Sequence, residues 1–99
     1  MAQLVVKWSK KALKKFDEKA LWYLANRGET FARSFAIDVK DNVNTMSQMP
    51  GIGLLRRQEG NRTYRVFHNH PKCSILYWYN YKELHIIDLV FTQMNNNAK

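Results

Sequence analysis

Residues 62–91 read RTYRVFHNHPKCSILYWYNYKELHIIDLVF, and this stretch decides the fold. Three apolar-rich runs, 62–69, 73–79 and 84–91, are separated by turn-forming residues. β-Branched and aromatic residues are frequent in these runs, and such residues suit a pleated, half-buried surface. Pro71 interrupts the first connection, because proline has no amide hydrogen to donate to a neighbouring strand. The stretch therefore predicts a β-meander.

Alternation within the runs predicts which side chains share a face of the sheet. In the first run, Tyr64, Val66 and His68 should lie opposite to Arg65 and Phe67. In the third run, the two predicted faces are Leu84, Ile86, Asp88 and Val90, and His85, Ile87, Leu89 and Phe91. A sheet this apolar needs a covering layer, which the first half of the chain supplies.

The first half predicts a short strand at residues 3–8 and then a helix. Ser9 occupies the position of a helix N-cap, and Gly28 can end the helix in a left-handed conformation. The apolar residues between them recur at helical spacing and form one predicted stripe: Leu13, Phe16, Ala20, Tyr23 and Leu24.

A second helix follows, with Thr30 as its predicted cap and an end before Pro50. Its predicted buried stripe is Phe31, Phe35, Val39, Val43 and Met46. Two helices joined by so few residues form an antiparallel hairpin. Residues 54–58 predict a further strand, which turns into the meander at Glu59-Gly60-Asn61.

The predicted order is β-α-α-β-β-β-β, an α+β fold with a helical hairpin packed on a mostly antiparallel sheet of four to five strands. At 99 residues, we expect residues 1–99 to form one domain. The polar residues 95–99 should be a frayed tail.

Composition limits which cellular compartment and which kinds of binding partner we expect for this protein. The formal charge is +8, which predicts attraction to a polyanion, either nucleic acid or an acidic protein segment. A lone cysteine fits a reducing cytoplasm. No apolar run has the length of a membrane span, so we expect a soluble protein.

Four arginines form the densest cationic cluster outside the first helix: Arg56, Arg57, Arg62 and Arg65. Their planar guanidinium groups could grip phosphates or carboxylates. Alternatively, they could stack on Tyr64, Phe67 and Tyr79.

The first predicted helix carries a second cationic set: Lys10, Lys11, Lys14, Lys15 and Lys19. This lysine face is either a docking surface or an ordinary solvated helix face.

The remaining chemically active residues predict no standard site. His68 and His70 could share a metal, but no third ligand stands at a fixed spacing. His85 is either a general base or a core histidine, and Cys73 has a structural role by default. Asp88 is either a buried acid paired with an arginine or an outward residue at a strand end. Cofactor and hydrolase signatures are absent, so we expect neither cofactor nor metal.

Several short motifs resemble, in order and spacing, the RelE/ParE superfamily of bacterial type II toxins. They are the MPG break at 49–51, the stretch TYRVF at 63–67, and the strands SILYWY and LHIIDLVF that end at Phe91. The resemblance covers nearly the whole chain. It implies a cytoplasmic toxin of an addiction module that stabilises plasmids, held inactive by a cognate antitoxin.

The resemblance leaves two mechanisms open. RelE-like toxins cut messenger RNA on the ribosome, and the resemblance implies Arg65, Arg56 and Arg57 as catalytic residues, with His85 and Tyr81 as weaker candidates. The arginine and tyrosine that such nucleases carry near the C-terminus are missing after Phe91. Losing transition-state stabilisation and proton transfer would each cost orders of magnitude in rate. The chain is therefore more similar to the ParE-like branch, which binds and inhibits DNA gyrase without being an enzyme.

If the chain is ParE-like, the resemblance implies that cationic residues contact the target or the antitoxin. The antitoxin segment that wraps such a toxin is acidic or amphipathic. The candidates for this contact are Lys11, Lys15, Lys19, Arg62 and Arg65. A third reading is a non-toxic basic RNA-binding module, in which aromatic residues beside arginines stack on bases.

Overall fold

The computed structural model describes residues 3–70 and 73–91, and at 69 and 70 the backbone alone. Two helices pack on one face of a five-stranded sheet. The elements are β1 (Val5–Trp8), α1 (Lys10–Arg27), α2 (Glu29–Gln48), a single 3-10 turn (Pro50–Ile52), β2 (Leu54–Glu59), β3 (Arg62–His70), β4 (Cys73–Tyr79) and β5 (Glu83–Phe91). This order confirms the predicted fold class.

The sheet has the strand order β1-β5-β4-β3-β2. β1 is parallel to β5, and the other neighbours are antiparallel. The predicted meander is therefore β3-β4-β5, with β2 at one edge and the first strand of the chain at the other. The predicted break at Pro71 and the predicted tail at 95–99 lie outside the described residues.

Ser9 fixes the start of α1 and ties it to the sheet. Its Oγ accepts a hydrogen bond from the amide of Ala12 at 3.0 Å and donates one to the carbonyl of Ile87 at 2.8 Å. At the other end of α1, Gly28 has φ 95°, a conformation that glycine adopts without strain. Both predicted ends of α1 are confirmed.

Two predictions about the helices are wrong. Thr30 is not the cap of α2, because the helix already starts at Glu29, directly after the left-handed Gly28. Leu13 and Leu24 do not belong to the buried stripe but are exposed. The other three residues of the predicted stripe, Phe16, Ala20 and Tyr23, do pack in or against the core, and Ala12 joins them there.

The core lies between the helices and the sheet. The buried side chains that form it are Ala12, Tyr23, Phe35, Val39, Val43, Met46, Cys73, Ile75, Tyr77, Leu84, Ile86 and Leu89. Four of the five residues predicted for α2 are buried: Phe35, Val39, Val43 and Met46.

The predicted faces of β5 are wrong beyond Ile86, because the strand contains a bulge. Tyr77 pairs with Ile86 and Leu76 pairs with Asp88, so Ile87 is an extra residue. An extra residue in one strand shifts the alternation that follows it. As a result, Leu89 joins Leu84 and Ile86 in the core.

Within the two described ranges, no helix is long and apolar enough to cross a membrane.

Candidate functional site

The arginines of β2 lie on the side of the sheet opposite to α1 and α2, which we call the open face. Leu76 and Trp78 point to this face because they alternate with the buried Ile75 and Tyr77 of β4. A bulge at Arg56 interrupts the pairing of β2 with β3. Because such a bulge sets two residues opposite one, Arg56 and its neighbour Arg57 both reach the open face.

An apolar groove of about 290 Å³ crosses the open face, and we call it the sheet groove. Its lining residues are Leu54, Leu55, Arg56, Val66, His68, Ser74, Leu76 and Val90. Leu54 pairs with Val66, and Val66 pairs with Leu76. The three side chains therefore form an apolar row at right angles to the strands. Leu54 and Leu55 remain 67% and 65% exposed.

Two arginines of the open face stack on aromatic rings. The guanidinium of Arg57 lies 5.1 Å from the ring centre of Tyr64, and its Nε is 3.2 Å from Glu59. The guanidinium of Arg62 lies 4.3 Å from the ring centre of Trp78. The sequence predicted stacking on Tyr64 as an alternative to binding phosphates or carboxylates, and the position of Arg57 confirms this contact. The stacking of Arg62 on Trp78 was not predicted.

His85 continues the second of these stacks. Its ring is parallel to that of Trp78 at 4.3 Å, and its Nε2 lies 3.0 Å from a carboxylate oxygen of Glu83. Four residues thus form one continuous column: Arg62, Trp78, His85 and Glu83.

Arg65 lies on the helix side of the sheet and holds the turn that precedes β2. Its Nη1 donates to the carbonyl of Gly53 at 2.9 Å and to that of Gly51 at 3.4 Å. The neighbouring Tyr77 hydroxyl accepts from the amide of Gly53 at 2.9 Å and donates to the carbonyl of Pro50 at 2.7 Å. Together, Arg65 and Tyr77 clamp the turn from Pro50 to Gly53.

Burial raises the pKa of Tyr77, although the Gly53 hydrogen bond and the charge of Arg65 offset part of the rise. The hydroxyl therefore stays protonated and can donate its hydrogen bond to the turn. The Nε of Arg65 is buried without a hydrogen-bond partner, which is an unfavourable arrangement for a charged group.

Two lysines of α1 converge on Asp88 of β5. The carboxylate lies 2.8 Å from the Nζ of Lys15 and 3.4 Å from that of Lys11. Burial alone would raise the pKa of Asp88, but the hydrogen bonds and charges of both lysines outweigh it and lower the pKa. Of the two predicted alternatives for Asp88, the buried ion pair is closer to the structure, with lysines in place of an arginine.

Lys19 sits among aromatic rings instead of carboxylates. Its Nζ is 4.9 Å from the ring centre of Trp22, 5.1 Å from Phe91 and 5.5 Å from Tyr23. A shallow depression of about 340 Å³ opens here, lined by Lys15, Glu18, Lys19, Trp22 and Phe91.

The structure brings together only part of the predicted nuclease set. Arg56 and Arg57 share the open face with His85, whereas Arg65 lies on the opposite face. Tyr81 is exposed in the turn between β4 and β5. Among the described residues, Arg56 has no ion pair and no hydrogen bond through its side chain.

The other candidates show no assembled centre. The Nδ1 of His68 lies 2.6 Å from the hydroxyl of Ser74, and the side chain of His70 lies outside the described part of the chain. No three histidine, cysteine, aspartate or glutamate side chains converge within residues 3–70 and 73–91. Burial raises the pKa of the Cys73 thiol to about 11, against a small opposing effect of Lys19, so the thiol is protonated and unreactive at neutral pH.

Sequence reasoning missed Tyr77 and the sheet groove. Alternation along β4 places Tyr77 in the core, but its hydrogen bonds reach back 24 and 27 residues to Gly53 and Pro50. The groove arises from residues of four strands, and only their register brings them together.

Comparisons with known proteins agree with this architecture. A family model described as the ParE toxin of type II toxin–antitoxin systems, parDE, matches residues 6–95. A solved structure of the chromosomal ParDE TA system from P. aeruginosa has 21% sequence identity and a TM-score of 0.72, covering 92% of this chain and 98% of that chain. At this identity the likeness shows the fold. No curated protein matches the chain. Because the family model spans most of its length, the chain belongs to the ParE toxin family of type II toxin–antitoxin systems.

Proposed function

We propose that the chain arrests growth by binding DNA gyrase and that a cognate antitoxin neutralises it. Membership of the family implies an antitoxin partner. The observation that supports binding over catalysis is the position of Arg65. Its guanidinium is engaged by the Pro50–Gly53 turn, on the face opposite to Arg56 and Arg57, so these three arginines do not surround one reacting phosphate.

The proposed contacts with target or antitoxin remain Lys11, Lys15, Lys19, Arg62 and Arg65. Lys19 and Arg62 would act directly, since neither has a carboxylate partner among the described residues. Lys11 and Lys15 would share their charge with Asp88. Arg65 would contribute by holding the turn that leads into β2.

We further propose that residues 1–99 act as one domain in the cytoplasm and that the module stabilises a plasmid. The positive charge of the chain supports recognition of an acidic antitoxin segment.

The test pairs two assays on the purified protein. We expect inhibition of supercoiling by DNA gyrase, and intact messenger RNA in primer extension from a purified translation system. In cells, induction should arrest growth with a DNA-damage response, and co-expression of the cognate antitoxin should restore growth.

The variant R56A tests the enzymatic alternative. A RelE-like nuclease needs the charge of this arginine, so ribosome-dependent cuts that R56A removes would overturn the gyrase proposal. Harmless induction in cells, together with salt-dependent RNA binding, would favour a basic RNA-binding module instead.

A further inference from the structure

The edge of the sheet at β5 is only partly covered by a neighbouring strand. β1 pairs with residues 83–86 of β5 and ends at Trp8. Within the described ranges, residues 87–91 have no strand on this side. A free strand edge presents amide and carbonyl groups that can pair with a strand of another molecule. The segment 86–91, IIDLVF, has one charge and no proline, and apolar β-forming segments of this kind associate readily where an edge is open.

Three backbone groups of this edge are bonded to side chains. The carbonyl of Ile87 accepts from the Oγ of Ser9 at 2.8 Å. The carbonyl of Leu89 accepts from the Nζ of Lys15 at 3.2 Å, and the amide of Leu89 donates to the Oδ1 of Asp88 at 2.8 Å. Each of these partners lies outside β4, so these are the groups that a further strand would use. We call Ser9, Lys15 and Asp88 the edge guard.

Lys15 joins two parts of the edge guard. Its Nζ lies 2.8 Å from the Oδ1 of Asp88, the same oxygen that accepts from the amide of Leu89. Lys11 lies 3.4 Å from the other oxygen, Oδ2, and makes no hydrogen bond to the backbone of β5 among the described residues. Both lysines therefore neutralise Asp88, but only Lys15 occupies a carbonyl of the edge.

The opposite edge of the sheet is protected by other means. β2 carries Arg56, Arg57 and Glu59 and has a bulge at Arg56, and charges and bulges are ordinary defences of an edge strand. β5 has a bulge at Ile87, but Asp88 is its only charge from residue 86 to residue 91. Occupation of the backbone groups supplies the protection that side-chain charge alone gives to β2.

The strand that matches this edge is the same edge of a second copy of the chain. Antiparallel pairing of two β5 strands centred on Leu89 would set Ile87 opposite Phe91 and Asp88 opposite Val90. Identical edges related by a twofold axis close into a dimer. Apolar side chains would meet across most of this contact, whereas Asp88 would lie beside an apolar residue without its lysines, which is unfavourable for a charge.

We propose that the edge guard blocks this pairing of β5 with a second copy. Pairing has to break the hydrogen bonds of Ser9 and Lys15 to β5 before it can replace them, and it removes the counter-ions of Asp88. The guard goes beyond the proposed binding of gyrase, because it acts on the folded chain whatever the cellular target is.

The test compares K15M with K11M by sedimentation velocity and heteronuclear NMR in about 0.15 M salt, where screening weakens the repulsion between two basic chains. Both variants remove one positive charge beside Asp88, and methionine keeps an unbranched side chain. Only K15M frees the carbonyl of Leu89. We expect K15M to self-associate, so that its mass rises with concentration up to about twofold and the amide signals of residues 87–91 shift. The unmodified protein and K11M should show neither change.

A folded K15M that stays monomeric would overturn the inference. Equal association of K11M would do so too, because loss of charge would then be the cause, and amide shifts at β2 instead of β5 would place the contact at the wrong edge. If K15M does not fold, S9D and S9N take its place, since both side chains cap α1 but only asparagine can donate to the carbonyl of Ile87. We then expect S9D to associate and S9N to stay monomeric, and equal behaviour of the two would refute the guard.

Discussion

Gly53 shows at the scale of one residue how the turn before β2 is held. A β-carbon at this position would stand 2.6 Å from the hydroxyl oxygen of Tyr77 and 3.0 Å from the backbone oxygen of Val66. Both distances are shorter than van der Waals contact allows. Tyr77 is fully buried and hydrogen-bonded at both ends of the turn, so it has little freedom to retreat. The glycine is required by this close approach and not by its backbone angles, since φ is −74°.

We therefore expect G53A to lower the free energy of unfolding by about 1–3 kcal/mol, the usual cost of overpacking a tight site. G51A is the matched control, because its β-carbon would meet only the Tyr79 hydroxyl, at an ordinary 3.6 Å. Urea unfolding of the two variants measures the difference. Equal destabilisation would mean that the turn, and not the contact with Tyr77, is the sensitive feature.

At the scale of elements, Asp88 is the electrostatic tie between α1 and β5. Lys15 contacts both the carboxylate of Asp88 and the carbonyl of Leu89, at 3.2 Å. The pKa of Asp88 is lowered in the folded state, so its ionised form favours folding. This stabilisation is present above the unfolded pKa of about 4 and is lost as the pH falls through the lower, folded value.

Accordingly, we expect D88N to be less stable than the unmodified protein at pH 7, and the difference to shrink towards pH 3. Thermal unfolding of both proteins at the two pH values gives the comparison. D17N, on the exposed side of α1, is the matched control for removal of a carboxylate. A stability difference for D88N that is the same at both pH values would contradict the ion-pair account.

Elements whose ends have local signals were predictable from the sequence. Ser9 and Gly28 mark the ends of α1, and β4 matches the predicted run from Cys73 to Tyr79, because alternation needs only neighbouring residues. Leu13 and Leu24 were misplaced, since a helix with apolar residues on several sides does not reveal which of them meets the sheet. The register of the sheet decides this, and the register is not local.

The candidate site was less predictable for the same reason. The bulges at Arg56 and at Ile87 arise from pairing between strands, and each changes which side chains share a face. The clamp made by Arg65 and Tyr77 joins three distant segments. From the sequence alone, Arg65 could only be recognised as a charge in an apolar strand that needed a partner, and its role in catalysis or binding stays a prediction.

At the scale of the whole molecule, part of the positive charge lies far from the open face of the sheet. Two of the 16 lysines and arginines, Lys10 and Lys14, are exposed on α1 and line neither the groove nor the depression at Trp22. Distant charges of this kind act on the encounter between partners more than on the finished complex.

For binding of the proposed acidic antitoxin segment, we expect the double variant K10E/K14E to slow association several-fold at low salt and to leave dissociation unchanged. Stopped-flow fluorescence at two salt concentrations separates the two rates. A change confined to dissociation would show that these lysines touch the bound antitoxin segment.

The parallel pairing of β1 with β5 also has a consequence for biosynthesis. The ribosome releases residues 5–8 long before residues 83–86, which are their partners in the sheet. Until β5 emerges, β1 has no partner strand, and Ser9 lacks the Ile87 carbonyl to which it donates. Closing so long a loop costs chain entropy that earlier contacts do not offset. A ribosome that stalls within β5 leaves an incomplete sheet, so near-complete translation is itself a condition for a folded toxin.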